Sequence, residues 1–314
     1  MTQELSYNPQ YDPNRYPLFD FMRTFEGESV RLWMCDHIEV PVLVAGAYFF
    51  LIIYVPDRFM KNREPLQLKN FNRVWNLTLA LYSLVGAFYT VPMMYMNLFS
   101  KNYQAVLPDG SGRTEIRHGG LFNTLCDWNP TEYYDGPVGF FVSAFILSKI
   151  PEMIDTILII LQKKQLIFLH WYHHITVMLY CWHAYTRRIS GGIVYAAMNY
   201  FVHSIMYSYY LMCTLGLRKY VRPFAPLITF LQIAQMVAGT FFEVACLYYL
   251  YRPENKGHAY DRSVGCDTDP TNARLGMMMY MTYYYMFCKL FKRSYIDKKS
   301  VSREGQALEA KKQK

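Results

Sequence analysis

The chain has 314 residues, of which 53% are hydrophobic and 18% aromatic, a composition too apolar for a soluble domain of this length. The formal net charge is +8, and it resolves below into one strongly basic face and one weakly acidic face. No internal repeat and no second soluble domain is visible, and no nucleic-acid partner is expected.

In chain order, residues 1–30 form a polar, acidic segment with none of the features of a cleavable signal peptide. Seven apolar stretches follow, at 38–55, 74–99, 137–161, 166–185, 192–215, 224–251 and 275–288. Each is long enough, or nearly so, to cross a bilayer as a helix of about 20 residues. The sequence therefore predicts an all-α membrane protein of seven transmembrane helices around a buried polar site. Its parts are a lumenal segment 1–30, a membrane domain 31–294 and a cytosolic basic tail 295–314.

An odd number of spans puts the two termini on opposite sides, and charge decides which. With the carboxyl terminus inside, the inner face holds 19 Lys and Arg against 5 acids, net +14, and the outer face 12 against 15, net −3. That is the positive-inside pattern. The basic face also suits an anionic water-soluble substrate or anionic lipid headgroups. The tail ends in "EAKKQK", with Lys311 and Lys312 placed as in a dilysine retrieval signal of the endoplasmic reticulum. Of seven cysteines, Cys126 and Cys266 fall in the two long outer loops, on the oxidising side where a disulfide persists. They are expected to pair.

The spans carry polar residues at helical spacing. In "SKIPEMIDTILII", Lys149, Glu152, Asp155 and Thr156 share one face. In "FLHWYHHITVML" the same holds for His170, His173 and His174, in "MNYFVHSIMYSYY" for Asn199, His203 and Tyr207, and in "TFLQIAQ" for Thr229, Gln232 and Gln235. Counted at ~1.5 Å per residue, all four sets lie roughly 9–18 Å from the inner end of their spans. Singly, each set reads as ordinary interhelix bonding. Together, at one depth, they predict one buried polar site open to the basic face. Pro151 removes a backbone donor and is expected to kink its span, turning Glu152 and Asp155 toward the histidines. The competing reading pairs these carboxylates with Lys149 to hold the span in place.

Three classes of protein are consistent with such a site. A non-haem di-iron desaturase or hydroxylase also carries a His-x-x-His-His box, but only four of the eight histidines here are placed to ligate metal. A seven-helix receptor or lipid transporter fits the span count, but has no need of titratable groups in the inner half. A transferase acting on an acyl chain with a cytosolic head group needs a nucleophile or base near the inner face and an apolar cavity beyond it, and both are available.

The set "KIPEMIDT", "HWYHH", "NYFVHSIMYSYY" and "TFLQIAQ" resembles the fatty acid elongase (ELO) family, whose four patterns are matched in order over residues 149–235. The resemblance covers roughly residues 30–300, and its details are most like the branch acting on saturated and monounsaturated chains. It implies a 3-ketoacyl-CoA synthase with an acyl tunnel, condensing long-chain acyl-CoA with malonyl-CoA and using no metal or other cofactor. It also implies residence in the endoplasmic reticulum membrane, alongside the ketoacyl-CoA reductase, dehydratase and enoyl reductase of the same cycle. A homo-oligomer is compatible with it.

The catalytic set is then His170, His173, His174, Asn199, His203, Glu152 and Asp155. His173 is expected to be the nucleophile that captures the acyl group, since neutral imidazole accepts acyl groups and a covalent intermediate splits the reaction into two easier steps. His203 would assist malonyl-CoA, and His170 and His174 would position their neighbours. A single ternary complex with the box as general base is the alternative. Lys149, Tyr207, Tyr210, Gln232 and Gln235 are expected to bind substrate. Lys163, Lys164, Arg218, Lys219, Lys289, Lys292 and Arg293 are candidates for the CoA phosphates, because a cation cluster at a membrane mouth attracts them.

Overall fold

A computed structural model describes residues 18–106, 113–129, 134–252 and 265–297. Residues 1–17 of the polar segment and residues 298–314 of the tail, with Lys311 and Lys312, lie outside the described residues. The described chain is predominantly helical. Its longer helices are α1 (Gly27–Asp36), α2 (Glu39–Tyr54), α3 (Lys69–Phe99), α5 (Gly136–Ser148), α6 (Ile154–Leu161), α7 (Phe168–Thr186), α8 (Gly192–Thr214), α10 (Ala225–Leu250) and α11 (Pro270–Phe291). Two short helices, α4 (Leu121–Cys126) and α9 (Arg218–Val221), connect them. A two-stranded antiparallel hairpin, β1 (Asn102–Val106) and β2 (Thr114–His118), follows α3.

By length and hydropathy, three helical stretches among the described residues can cross a membrane: Glu39–Phe59, Lys69–Phe99 and Arg218–Leu250. The other expected spans fall short for identifiable reasons. The third is broken: α5 ends at Ser148, a 3-10 turn spans Pro151–Met153, and α6 resumes at Ile154. Proline removes a backbone donor at that step. Helices α7 and α8 carry the histidines, Asn199 and many tyrosines, which lower their mean hydropathy. Large apolar side chains still face outward around the bundle, among them Phe50, Leu84, Phe88, Phe201, Phe241 and Met281, all more than 45% exposed. Such a belt marks contact with lipid rather than water.

Two boundaries differ from the sequence reading. Helix α11 starts at Pro270 rather than near 275, because Asp269 caps it by accepting from the backbone N–H of Thr271 and Asn272 at 2.7 and 2.9 Å. The polar segment read as 1–30 ends earlier. Helix α1 begins at Gly27, and Met22 and Met34 are wholly buried against the bundle. An ion-pair cluster holds it there: Glu28 accepts from Arg31 at 2.5 Å and from Arg188, beyond α7, at 2.5 Å. The hydrogen bond and charge of Arg31, joined by Arg188, hold the Glu28 carboxyl down at about 2. At the other end of the molecule α8 ends at Thr214, followed by Gly216, whose φ of +89° suits the left-handed residue that closes a helix.

Helix α3 packs along α8, and α10 along α11. Cys126 of α4 and Cys266, just before α11, form a disulfide, which ties one end of the bundle. The opposite end carries Lys163, Lys164, Arg218, Lys219, Lys289 and Lys292, all exposed. These are called the disulfide end and the basic end below.

Candidate active site

A cavity of about 370 Å³ opens among α7, α8, α10 and α11. His170, His173 and His174 line it from α7, Asn199, His203, Tyr207 and Tyr210 from α8, Gln232 and Gln235 from α10, and Asp155 from α6. Four polar sets separated by many residues in sequence thus meet in one chamber. Phe287, Leu290, Ser294 and Tyr295, at the basic end of α11 and just beyond it, also face it.

The imidazoles are not equivalent. His170 Nε2 lies 2.9 Å from Thr156 Oγ1, which lies 2.5 Å from the Tyr48 hydroxyl of α2. His203 Nε2 lies 3.3 Å from Asn199 Nδ2. The ring nitrogens of His173 and His174 hydrogen-bond to no side chain among the described residues. Their rings stand 5.5 Å apart, centroid to centroid. His174 is buried at 6% exposure, and His173 is half-buried beside the cavity. Tyr283 of α11 packs against His173 at 5.1 Å, with its hydroxyl 3.3 Å from the His173 carbonyl.

Two sequence expectations meet a different geometry here. Neither carboxylate touches an imidazole. Glu152 accepts from Lys149 Nζ at 2.8 and 3.0 Å and from Ser148 Oγ at 2.7 Å. Asp155 accepts from Trp75 Nε1 at 2.6 Å and from the Tyr207 hydroxyl at 2.8 Å. The Lys149–Glu152 pairing is the competing reading, and its cause is the helix break, which leaves Lys149 and Glu152 on one tight turn. Lys149, expected to bind substrate, is 2% exposed and is not among the residues that line the cavity.

Lys149 does reach the site indirectly. Its ammonium donates to Asn199 Oδ1 at 3.3 Å. A cation can only donate, so the amide oxygen faces it and Asn199 Nδ2 faces His203 Nε2. That nitrogen must accept, and the His203 proton then resides on Nδ1. Glu152, Lys149 and Asn199 thus form one chain that fixes a tautomer.

None of the seven candidate phosphate-binding cations lines the cavity itself. Lys289 and Arg293 line an adjoining groove between α7 and α11, which shares Ile167, Leu169 and Leu290 with the cavity. Lys163, Lys164, Arg218, Lys219 and Lys292 are exposed at the basic end. Gln232 Nε2 lies 3.3 Å from Met206 Sδ, and Tyr210 packs edge-on to Tyr207 at 6.3 Å. The sequence reading missed Trp75, Tyr48 and Tyr283. Trp75 and Tyr48 sit on helices without a polar motif, and Tyr283 sits in a tyrosine run that reads as packing. Among the described residues no cluster of three or more His, Cys, Asp or Glu has metal-holding geometry.

A helical membrane bundle with a histidine-lined chamber near its basic end is the class that fold and site define. Residues 33–303 match the ELO family, described as GNS1/SUR4, and the chain belongs to it. The chain is similar to fatty acid elongase 3 of Trypanosoma cruzi strain CL Brener, 46% identical over 277 residues, 87% of this chain and 89% of that protein. It is 44% identical over 288 residues to fatty acid elongase 3 of Trypanosoma brucei brucei, covering 90% and 93%. It is 43% identical over 285 residues to very long chain fatty acid elongase 4 of Trypanosoma cruzi, covering 91% and 90%.

Proposed function

We propose that this chain is the condensing enzyme of fatty acid elongation, joining acyl-CoA and malonyl-CoA to give 3-ketoacyl-CoA, carbon dioxide and CoA. Family membership and relatives named as fatty acid elongases support the reaction. The observation that carries the mechanism is the unequal bonding of the four histidines. His170 and His203 are held by Thr156 and Asn199, while His173 faces the cavity with no side-chain hydrogen bond to its ring among the described residues.

In this mechanism the His173 imidazole attacks the thioester carbonyl. The carbon–sulfur bond breaks, CoA thiolate leaves with a proton, and an acyl-imidazole remains. Malonyl-CoA then enters, loses carbon dioxide, and its α-carbon attacks the acyl carbon, freeing the imidazole. His203, with its proton on Nδ1, stabilises the enolate formed on decarboxylation. Thr156 holds His170 and Tyr283 packs on His173, so the rings that surround the nucleophile keep one orientation.

The finer architecture belongs to the same proposal. All seven apolar segments cross the membrane, α5 and α6 together making one broken span, and an apolar tunnel runs from the imidazoles toward the disulfide end. The basic end faces the cytosol, where CoA and malonyl-CoA are dissolved, and Lys289 and Arg293 meet the phosphates. The disulfide end faces the lumen of the endoplasmic reticulum. The reductases and dehydratase that act on 3-ketoacyl-CoA and its products are the expected partners.

The test is intact-mass measurement on purified protein incubated with acyl-CoA alone. A gain of one acyl group with release of one CoA, both lost in His173→Ala, is expected. No adduct and no CoA before malonyl-CoA is added would replace covalent capture by a ternary complex. No 3-ketoacyl-CoA from any primer with both substrates present would overturn the condensing reaction itself.

A further inference from the structure

Glu243 of α10 is 2% exposed and forms no salt bridge among the described residues. Its carboxylate accepts from the Tyr180 hydroxyl at 3.0 Å, with the Tyr195 hydroxyl also beside it. An ionisable group so deep in a membrane bundle is expensive and calls for a use. The condensation chemistry does not employ it. Glu243 lies eight residues past Gln235, about 12 Å along α10 toward the disulfide end, and Tyr180 lies seven past His173, about 10 Å along α7 in the same direction.

The cluster draws on each of the four helices among which the cavity opens. Tyr180 comes from α7, Tyr195 from α8, Glu243 from α10 and Tyr280 from α11. Two glycines let it close. A Cβ on Gly276 would overlap Glu243 Oε1 and the Tyr180 hydroxyl, and a Cβ on Gly239 would overlap the Tyr280 ring. The cavity lining stops short of this layer, at His174 on α7, Asn199 on α8 and Met236 on α10. The layer therefore lies across the tunnel proposed above, which runs from His173 toward the disulfide end.

We propose that this carboxylate–tyrosine layer is the floor of the acyl site and sets the longest primer accepted, with Glu243 as the positioning residue that holds the phenols across the path. The proposal rests on the elongase reading and adds the residues that end its tunnel. A methyl terminus pushed into the layer would part hydrogen bonds that no water is present to replace. That loss outweighs the gain from burying one more methylene. Removing the carboxylate frees the next helical turn of about 5.4 Å, room for about four extended carbons at ~1.2 Å per bond.

The test uses purified full-length protein, malonyl-CoA and a ladder of saturated acyl-CoA primers, scoring 3-ketoacyl-CoA by mass. Glu243→Ala is expected to raise the upper length limit by two to four carbons. Glu243→Gln still accepts from the phenols and is expected to keep the wild-type limit. An unchanged limit in Glu243→Ala overturns the proposal. If that variant does not fold, the wild type answers by photolabelling with an acyl-CoA carrying a diazirine at its terminal carbon. Crosslinks at Tyr180, Tyr195, Glu243 or Tyr280 are expected, and crosslinks confined to other residues overturn it. Failure of the wild type to condense any primer would strike the elongase reading instead, and the photolabel would still report where a bound chain ends.

Discussion

Lys149→Met isolates the buried ion pair. The side chains of Lys149 and Glu152 are 2% and 4% exposed, with Nζ and Oε1 2.8 Å apart. Removing the ammonium leaves a carboxylate in the bundle with, among the described residues, only Ser148 to donate to it. Breaking a pair of this kind costs about 3–5 kcal/mol, because the remaining charge stays desolvated. At about 2–4 °C per kcal/mol for a large domain, the unfolding midpoint in detergent should fall by roughly 6–20 °C. Lys149→Met/Glu152→Met removes both charges and should recover most of that loss, since apolar replacement of a buried pair is often neutral. The double variant should nonetheless stay slow, because Asn199 has lost the donor that orients its amide toward His203. Buried-thiol reactivity on heating measures the stability, and condensation kinetics measure the rest. The reasoning fails if Lys149→Met shifts the midpoint by no more than a surface substitution would. It also fails if the double variant is no more stable than the single.

Asp155→Asn keeps an acceptor oxygen for Trp75 or Tyr207 and touches no imidazole, so kcat should fall by less than about tenfold, the equivalent of about 1.4 kcal/mol. A loss of several hundredfold, read by steady-state kinetics, would restore a direct role on the histidines. The depressed carboxyl of Glu28 contributes stability that is complete above its ordinary 4.5 and is lost as pH falls toward about 2. Glu28 is partly exposed, so the contribution is discounted to about 0.2–1 kcal/mol. Glu28→Gln should flatten that part of an acid-unfolding curve, and an unaltered slope would count against the cluster. Reducing the Cys126–Cys266 disulfide, which spans 140 residues of sequence, should cost about 2–5 kcal/mol. Thermal unfolding with and without reductant would measure it, and identical midpoints would show that the disulfide end is held by packing alone.

The helices were legible where period and composition agree. Residues 192–215 and 224–251 were placed within a residue or so of α8 and α10, because long apolar runs have few competing structures. The errors fall where a cap or a tertiary contact decides. Asp269-Pro270 is a helix start that hydropathy ignores, so α11 was begun too late. Helix α1 is polar enough to read as a free segment. It is held by its own Met34 and by Met22 just before it, both buried in the bundle core, and by Arg188, 160 residues from Glu28 in sequence. No local pattern announces an ion pair at that separation.

The site shows the same division more sharply. Spacing and depth gathered His170, His173, His203, Gln232 and Gln235 into one chamber, because helical rise turns residue counts into distances. What spacing cannot give is the partner of each polar atom. Lys149, Glu152 and Asp155 share a helical face in an unbroken helix, and from that face the carboxylates seemed aimed at the histidines. The turn at Pro151–Met153 changes the geometry. It folds the Lys149 ammonium back onto Glu152 and leaves Asp155 for Trp75, a residue 80 positions away. The consequence is chemical as well as geometric. A carboxylate on an imidazole would raise the basicity of that ring directly. A carboxylate held by an ammonium, which is held by an amide, fixes only which nitrogen of His203 carries the proton. The network therefore orients His203 as a neutral ring with its proton on Nδ1, the donor that the proposed decarboxylation step asks of it.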